Sequence, residues 1–435
     1  MKKADIIVIG AGATGLMAAR ILVKSGKKVT VLEARNRCGG RIHTISDELF
    51  LKNTELGAEF IHGDLPVTLN LLNEAGIRYH PADTEMWHYN NGKFSTGVSY
   101  VKEWELLLKK LNLLKSDITI NKFLQIEFPG EKYSDLRKSV QEFVSGYDTA
   151  DPNKASAFAL RVEWQSEGHG SQHRIDGGYG SLIKYLENEI LNSGGCICME
   201  KIVKEIHWQK GKVKVITNKK EVYTAAQIII ALPLGVLQLT NTEKGAVTFH
   251  PAIIEQSNAI QAMGFGAVIK ILLEFSEAFW EDDTSEKLAG KSLKNMGYLF
   301  SDEIIPTWWT QVPQHTAVFT GWVGGPAAVE KMHYLKEELL KQSLQSLGNI
   351  FKRTINELKE KLLVFKIIDW TIEPFTRGAY AYDTIETPAS RKLLKRPIMN
   401  TIYFSGEYLY EGPAMGTVEA ALTSGEEAAK KISYH

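Results

Sequence analysis

The start of the chain constrains it most. Residues 5–9 read as a buried strand running directly into Gly10-Ala11-Gly12-Ala13-Thr14-Gly15, and residues 16–24 read as a helix. A second apolar strand, residues 28–32, ends in Glu33. Each residue type has a physical task. Gly10 permits the tight turn, Gly12 lets backbone approach a pyrophosphate, and Gly15 lets the helix lie close to the strand. With Ala13 and Thr14 between the last two glycines, the helix start presents unpaired N–H groups to phosphate. Glu33, roughly 20 residues on, is placed to accept hydrogen bonds from an adenosine ribose. Its charge opposes a 2′-phosphate, which argues against NADP. An α/β fold with a Rossmann-like dinucleotide-binding domain follows, with NAD and FAD both open at this point.

The next residues, Glu33-Ala34-Arg35-Asn36-Arg37-Cys38-Gly39-Gly40-Arg41, narrow the choice. Gly39-Gly40 is a turn stripped of side-chain bulk. Arg35, Arg37 and Arg41 concentrate positive charge where an anionic cofactor needs it. The stretch resembles the second half of the signature of flavin amine oxidases. That resemblance implies FAD, with Ala34, Arg35, Gly40 and Arg41 in its site and Arg41 near the phosphates or the flavin.

At 435 residues the chain is long enough for two domains with sizeable cores. Its 51 basic and 51 acidic residues balance, so nothing electrostatic favours nucleic acid or an anionic membrane surface. No apolar stretch has the length of a membrane span. The cofactor strand begins almost at once, with no signal peptide before it. The chain ends shortly after Lys431, without the C-terminal anchor of some mitochondrial relatives. The expectation is a soluble, cytoplasmic protein. Three cysteines, Cys38, Cys196 and Cys198, fit a reducing compartment without a disulfide framework. Cys196 and Cys198 alternate on an expected strand. They offer too few ligands for a metal and read as small core hydrophobes. No metal site is expected.

Three separated segments, 1–76, 175–247 and 398–435, are expected to assemble the FAD domain. Segments 77–174 and 248–397 are expected to form an α+β substrate domain, a mixed sheet roofed by helices. In the middle segment, strands are expected at 202–208, 212–217 and 227–231, and the resemblance implies that backbone near Val203 meets the adenine. The substrate domain shows helical periodicity at 104–114, 136–144 and 334–350, and strands at 267–275, 317–323 and 362–370.

Towards the C-terminus, Ile402-Tyr403-Phe404-Ser405-Gly406-Glu407 reads as a strand ending in Gly-Glu, and Gly416-Thr417-Val418-Glu419-Ala420-Ala421 opens a helix. This resembles the closing motif of the same family. It implies that Gly406 and Glu407 meet the ribityl or phosphate region. Gly416, Thr417 and Val418 would bring backbone N–H groups to the isoalloxazine, where a helix N-terminus stabilises negative charge.

Lys270 stands in an otherwise apolar strand, on the same face as Val268 and Leu272. Burying an ammonium is costly without a partner, and the usual response is a lowered pKa. An exposed lysine on an edge strand is the other reading of the strand alone. In the resembled family a lysine of this strand hydrogen-bonds a water at flavin N5, and that role is implied for Lys270. Trp370, in Asp369-Trp370-Thr371-Ile372-Glu373-Pro374-Phe375, and Tyr380 resemble the wall of the amine pocket. Monoamine oxidases carry a flavin-bound cysteine just before that tyrosine. Here the position is Ala379, so non-covalent FAD is expected. The second ring of the amine cage maps to Pro413 or Ala414, which leaves the cage incomplete unless Tyr408 or Tyr410 supplies a ring.

Gly57-Ala58-Glu59-Phe60-Ile61-His62-Gly63 resembles the block that places backbone at the cofactor and a histidine in the substrate tunnel. It implies cofactor contact for Gly57, Ala58, Glu59 and Phe60, and substrate contact for Glu59 and His62. A structural histidine is the alternative. The stretch 306–310 resembles polyamine oxidases, but Trp308 and Trp309 read more simply as an aromatic core pair; Glu163 and Glu167 could meet a distal ammonium, with a solvated acidic face as the simpler reading.

The resemblance implies two-electron oxidation of a polyamine or monoamine at its C–N bond, giving an imine that water hydrolyses to an aldehyde or ketone. No second dinucleotide turn is visible, so O2 is expected to take the electrons and leave as H2O2. Catalytic roles fall to Lys270, Trp370, Tyr380 and His62. Three other readings stay open. An L-amino acid oxidase would use Arg161 or Arg377 on the carboxylate. A C–C dehydrogenase would follow protoporphyrinogen oxidases or carotenoid desaturases, against which the Lys270 strand and the Trp370 block speak. A flavin-binding module would lack turnover. The expected partners are a small amine and O2, without nucleic acid or membrane. A homodimer is an open assembly.

Overall fold

The structure is a computed structural model and describes residues 2–46, 52–82, 84–97, 103–166 and 172–433. Ile6–Ile9 is buried at every position, as a strand covered on both faces must be. It lies inside an all-parallel five-stranded sheet in the order Cys196–Cys198, Val29–Leu32, Ile6–Ile9, Gln227–Ile230, Ile402–Phe404. Strands distant in sequence thus become neighbours, and each needs a crossover to reach its place.

Helices Ala13–Lys24, Gly180–Asn192 and Val418–Ser433 supply the apolar cover of one face, through Leu16, Ala19, Leu182, Leu186, Leu422 and Ala429. The first and last of these helices cross closely at Gly425. A Cβ there would stand 2.3 Å from the Thr14 carbonyl oxygen. On the other face lies a second five-stranded sheet, in the order Lys2–Lys3, Val222–Ala225, Lys212–Thr217, Val203–Gln209, Thr248–His250. Ile206, Val213, Val215 and Tyr223 of that sheet share a core with Ile7 and Ile9.

The first helix starts at Ala13, a turn earlier than the apolar pattern suggests, because Gly12 takes the extended conformation of an N-cap. Two expected core residues move outward. Cys196 is exposed and Cys198 half-buried. Their strand is the edge of the parallel sheet, so only one flank is covered by a neighbour and alternation no longer implies burial.

The third sheet is mixed and seven-stranded. Its order is Leu362–Asp369, Val268–Phe275, Val318–Gly324, Thr307–Trp309, Met296–Ser301, Glu85–Asn90, Lys93–Thr96. Val268–Phe275 is antiparallel to both neighbours, and Lys270 is paired with Trp322 on one side and Ile368 on the other. The edge-strand reading of this lysine is therefore overturned. One face packs on an aromatic core of Trp280, Trp308, Phe319 and Phe351 under the helix Lys336–Phe351. Helices Trp104–Leu113, Ile120–Glu127, Ser134–Gly146 and Ala157–Ser166 form a separate bundle around Leu107, Phe123, Val140 and Trp164. Among the described residues no helix is long and apolar enough to cross a membrane.

Candidate active site

At the N-terminal turn, no side chain caps the first helix. Its first N–H groups have no intrahelical acceptor, and a Cβ on Gly12 would meet nothing within 4 Å. Gly15 is the opposite case, since its Cβ would lie 2.0 Å from the Gly10 carbonyl oxygen. The turn is thus pressed onto the helix while its outer side stays open. Gly39 N–H donates to the Ala11 carbonyl at 2.8 Å, and a Cβ on Gly40 would stand 3.4 Å from the Gly12 Cα. The two glycine turns therefore lie side by side.

Glu33 is buried and accepts from Ala11 N at 2.8 Å and Arg35 N at 2.9 Å. Lys201 N donates to the Glu33 carbonyl at 2.7 Å, which brings the start of Val203–Gln209, and Val203 with it, beside the acid. Ala34 follows Glu33 on this turn, half-buried. Arg35 pairs with Glu373 and donates also to Thr376 Oγ1 at 2.6 Å. Arg41 Nη1 donates to Glu407 Oε1 at 2.8 Å and to the Ala379 carbonyl at 2.7 Å. Glu407 is buried, and its oxygens also accept from Ala381 N at 3.3 Å. Gly406 N donates to Ser424 Oγ at 3.0 Å, which fixes the strand end on the last helix. That helix begins at Val418, with Thr417 Oγ1 accepting from Ala420 N at 3.3 Å and Gly416 at φ +70° before it.

The donor set suits an extended flavin dinucleotide: an uncapped helix start beside paired glycines, a fixed acid at the next strand end, an arginine, and a second helix start. The residues fit the group.

Lys270 is 1 % exposed. Its ammonium donates to Glu59 Oε2 at 2.6 Å and to the Gly57 carbonyl at 3.1 Å, and lies 5.3 Å from the Trp309 ring centre. The other Glu59 oxygen accepts from Arg174 Nη1 at 2.6 Å and from Gln311 Nε2 at 3.3 Å. Burial pushes the Glu59 carboxyl up, but the Lys270 and Arg174 cations outweigh it and hold the group down to about 2. The buried ammonium thus meets a carboxylate, which is the partner the sequence could not supply.

Trp370 Nε1 donates to the Leu56 carbonyl at 3.0 Å, so Trp370 and Lys270 grip consecutive carbonyls of one segment. A Cβ on Gly57 would overlap the Arg41 carbonyl oxygen, at 1.7 Å, so that segment also abuts the arginine loop. Ala58 N donates to the same carbonyl at 3.2 Å. Trp370 clusters with Val268, Ala379, Trp322 and Tyr380. Tyr380 packs against Gly416, whose Cβ would lie 2.8 Å from the ring, and its hydroxyl donates to the Tyr147 carbonyl.

Beside Tyr380 opens a small cavity of about 30 Å³, lined by Asp148, Glu163, Asp383, Tyr382, Met415 and Gly416 among others. Burial first, then the Asp148 and Glu163 carboxylates, push the Tyr380 phenol up. Asp383 is paired with Arg391. Phe60 packs with His62, Tyr298 and Trp309, under the Arg174 guanidinium at 4.4 Å. His62 Nδ1 lies 3.3 Å from Gln172 Nε2, and burial pushes the imidazole down to about 4.

The structure gathers Arg41, Gly57, Glu59, Lys270, Trp370, Tyr380, Glu407 and Gly416 into one connected region. Arg35 stays beside Glu33, with its guanidinium 4.0 Å from the Glu33 carboxylate and paired with Glu373. The structure corrects one surface assignment. Glu163 lines the cavity instead of a solvated face, because its helix turns that side towards Tyr380, while Glu167 lies outside the described residues. Trp308 and Trp309 are both buried, as expected of a core pair, and Trp309 also lies under the Lys270 ammonium. Tyr408 is packed among apolar side chains of the cofactor half. Sequence reasoning missed Arg174, Gln311 and Asp148. For Arg174 a weak signal existed, a cation set between His173 and Ile175 in the short strand Gln172–Ile175.

The family profile for flavin containing amine oxidoreductases matches residues 13–433. The chain is 25 % identical to lysine-specific histone demethylase 1B of Mus musculus over 468 residues, covering 99 % of this chain and 53 % of that protein. It is 24 % identical to polyamine oxidase 2 of Arabidopsis thaliana over 466 residues, covering 98 % and 88 %. Thus the chain spans about half the length of the demethylases it matches. Among solved structures, wild-type putrescine oxidase bound to putrescine superposes with a TM-score of 0.80 at 19 % identity, covering 100 % of this chain and 99 % of that one. That likeness shows the fold.

Proposed function

The chain belongs to the flavin-containing amine oxidoreductase family, and from that premise we propose that it is an FAD-dependent oxidase of small amines carrying a second positive charge. Bound FAD would take two electrons from the C–N bond and pass them to O2, giving H2O2 and an imine that water hydrolyses. Residues 1–76, 175–247 and 398–435 would hold the cofactor, and 77–174 and 248–397 the amine. The observation that carries this reading is the acid-lined cavity opening beside Tyr380 and Gly416.

In this reading the uncapped start of Ala13–Lys24 holds the diphosphate, Glu33 the ribose, and Arg41 with Glu407 the middle of the cofactor. Lys270 and Trp370 position the loop at 56–59, and Lys270 orders water beside the ring. Trp370, Trp322 and Tyr380 exclude bulk water from the reacting carbon. Ala379 carries no nucleophile, so the cofactor stays non-covalent. Asp148 and Glu163 sit where a distal ammonium would need counter-charge. The amino acid reading is less well supported: Arg161 lies 4.2 Å from the Phe158 ring centre and donates to the Leu111 carbonyl, and Arg377 pairs with Glu243. Neither lines the cavity.

Anaerobic addition of an amine panel tests the proposal. Diamines should bleach the flavin absorbance faster than monoamines of equal chain length. Asp148→Asn and Glu163→Gln should raise KM for the diamines with little change for the monoamines. A protein that takes up no FAD, or whose flavin is bleached by amino acids and not amines, refutes it.

A further inference from the structure

We propose that Glu205, His207 and His250 form a binding site for one divalent transition-metal ion of the zinc, cobalt and nickel class. The site lies on the second five-stranded sheet and shares no residue with the flavin or amine regions.

Backbone register builds it. Glu205 and His207 are two apart on Val203–Gln209, so both side chains leave the same face. His250 is the direct partner of His207 on the neighbouring parallel strand Thr248–His250. The two imidazoles stack at 4.6 Å between ring centres, with 24° between their planes. His207 Nε2 lies 2.7 Å from Glu205 Oε2. Among the described residues this is the one group of three histidine, cysteine or carboxylate side chains whose ligand atoms all lie within 4.8 Å of one another.

Two imidazoles and a carboxylate are the ligand set that borderline ions prefer. Ligand atoms in a tetrahedral zinc site stand about 3.4 Å apart. Rotation of the half-buried His207 ring and the exposed His250 ring about their side-chain torsions covers the remaining distance without moving backbone. Calcium and magnesium want an oxygen shell of six or more, which two imidazoles do not offer. Three protein ligands leave a fourth position to water.

The scaffold is held from both sides. Phe249, next to His250, packs against Phe404 of the parallel sheet, and Trp208 Nε1 donates to the Pro251 carbonyl at 2.8 Å. Lys214 is the cross-strand partner of His207 on the other side. Its positive charge acts on Glu205 and would weaken cation binding modestly. Ion binding would tie Thr248–His250, the edge strand of this sheet, to its neighbour.

The test uses tag-free, flavin-loaded protein carrying Cys196→Ser and Cys198→Ser, because those thiols, 3.5 Å apart, would compete for soft ions. Zn2+ is titrated by calorimetry and Co2+ by visible absorption. The expected result is one ion per chain, a Co2+ spectrum with nitrogen ligands, and a melting temperature raised by Zn2+. His207→Ala and His250→Ala should each weaken binding at least about tenfold and abolish the thermal shift. Flavin content and circular dichroism confirm that both variants are folded, and His250→Gln replaces any variant that is not. Lys214→Ala should tighten binding. A stoichiometry of zero, or affinity unchanged in both histidine variants, overturns the proposal.

Discussion

Glu59→Gln is the substitution that exposes most about the buried charge network. The carboxylate carries Lys270 on one oxygen and Arg174 on the other, and all three side chains are largely out of water. In the folded protein it ionises at about 2, against an ordinary 4.5. That difference corresponds to about 3 kcal/mol of stability at neutral pH. Glutamine keeps the shape and one acceptor oxygen but removes the charge, leaving two cations facing each other across a neutral amide. Removing one member of a buried pair costs on the order of 3–5 kcal/mol, so the two routes to the magnitude agree. Urea unfolding at pH 7, read by tryptophan fluorescence, should show a lower midpoint with an unchanged slope. The pH dependence has a definite sign. The folded value lies below the unfolded one, so the stabilisation is complete above 4.5 and is lost as pH falls through about 2. The glutamine variant should lack that acid limb. Adding Lys270→Met to it should restore part of the loss, because the ammonium without a partner is gone. A glutamine variant within about 0.5 kcal/mol of the parent, retaining the same acid limb, would refute the reasoning.

Other outcomes follow from the same geometry. Lys270→Met should slow flavin reduction or reoxidation in stopped flow, and unchanged rates of both would remove Lys270 from the chemistry. Gly15→Ala would drive a Cβ to 2.0 Å from the Gly10 carbonyl oxygen, so the purified variant should be colourless or bind FAD far more weakly, as measured by flavin absorbance per chain. His62 is held down to about 4 from 6.5, so its contribution to stability is complete above 6.5 and disappears as pH falls through about 4. His62→Gln should flatten denaturation midpoints across that interval. Acid precipitation should release the yellow colour into the supernatant, and colour retained on the pellet would contradict non-covalent binding.

The cofactor turn was readable because few structures need a buried strand, three spaced glycines and an acid at the next strand end in that order. Lys270 stood out because an ammonium in an apolar strand demands an explanation. Its partner did not stand out. Alternation reveals which face a strand residue takes, not what crosses from a segment 211 residues away. Arg174 and Asp148 were hidden for the same reason, since each looks like an ordinary surface charge until the sheets and the helical bundle meet. Cys196 and Cys198 misled in the other direction, because a small apolar residue on a short strand is buried only when the strand has neighbours on both sides. The helix Lys336–Phe351 came close to its expected bounds, as a long amphipathic repeat specifies itself locally.

The crossing of the first helix with the last one has a price in biosynthesis. Leu16, Ala19 and Val23 emerge from the ribosome early, yet much of the surface that shelters them arrives only with Leu422, Ala429 and Ile432. Throughout translation the nascent nucleotide-binding half keeps an oily flank and an unfilled strand position beside Gln227–Ile230. Native closure therefore waits for the late-made segment 402–432, and a chain terminated before it would leave that flank uncovered.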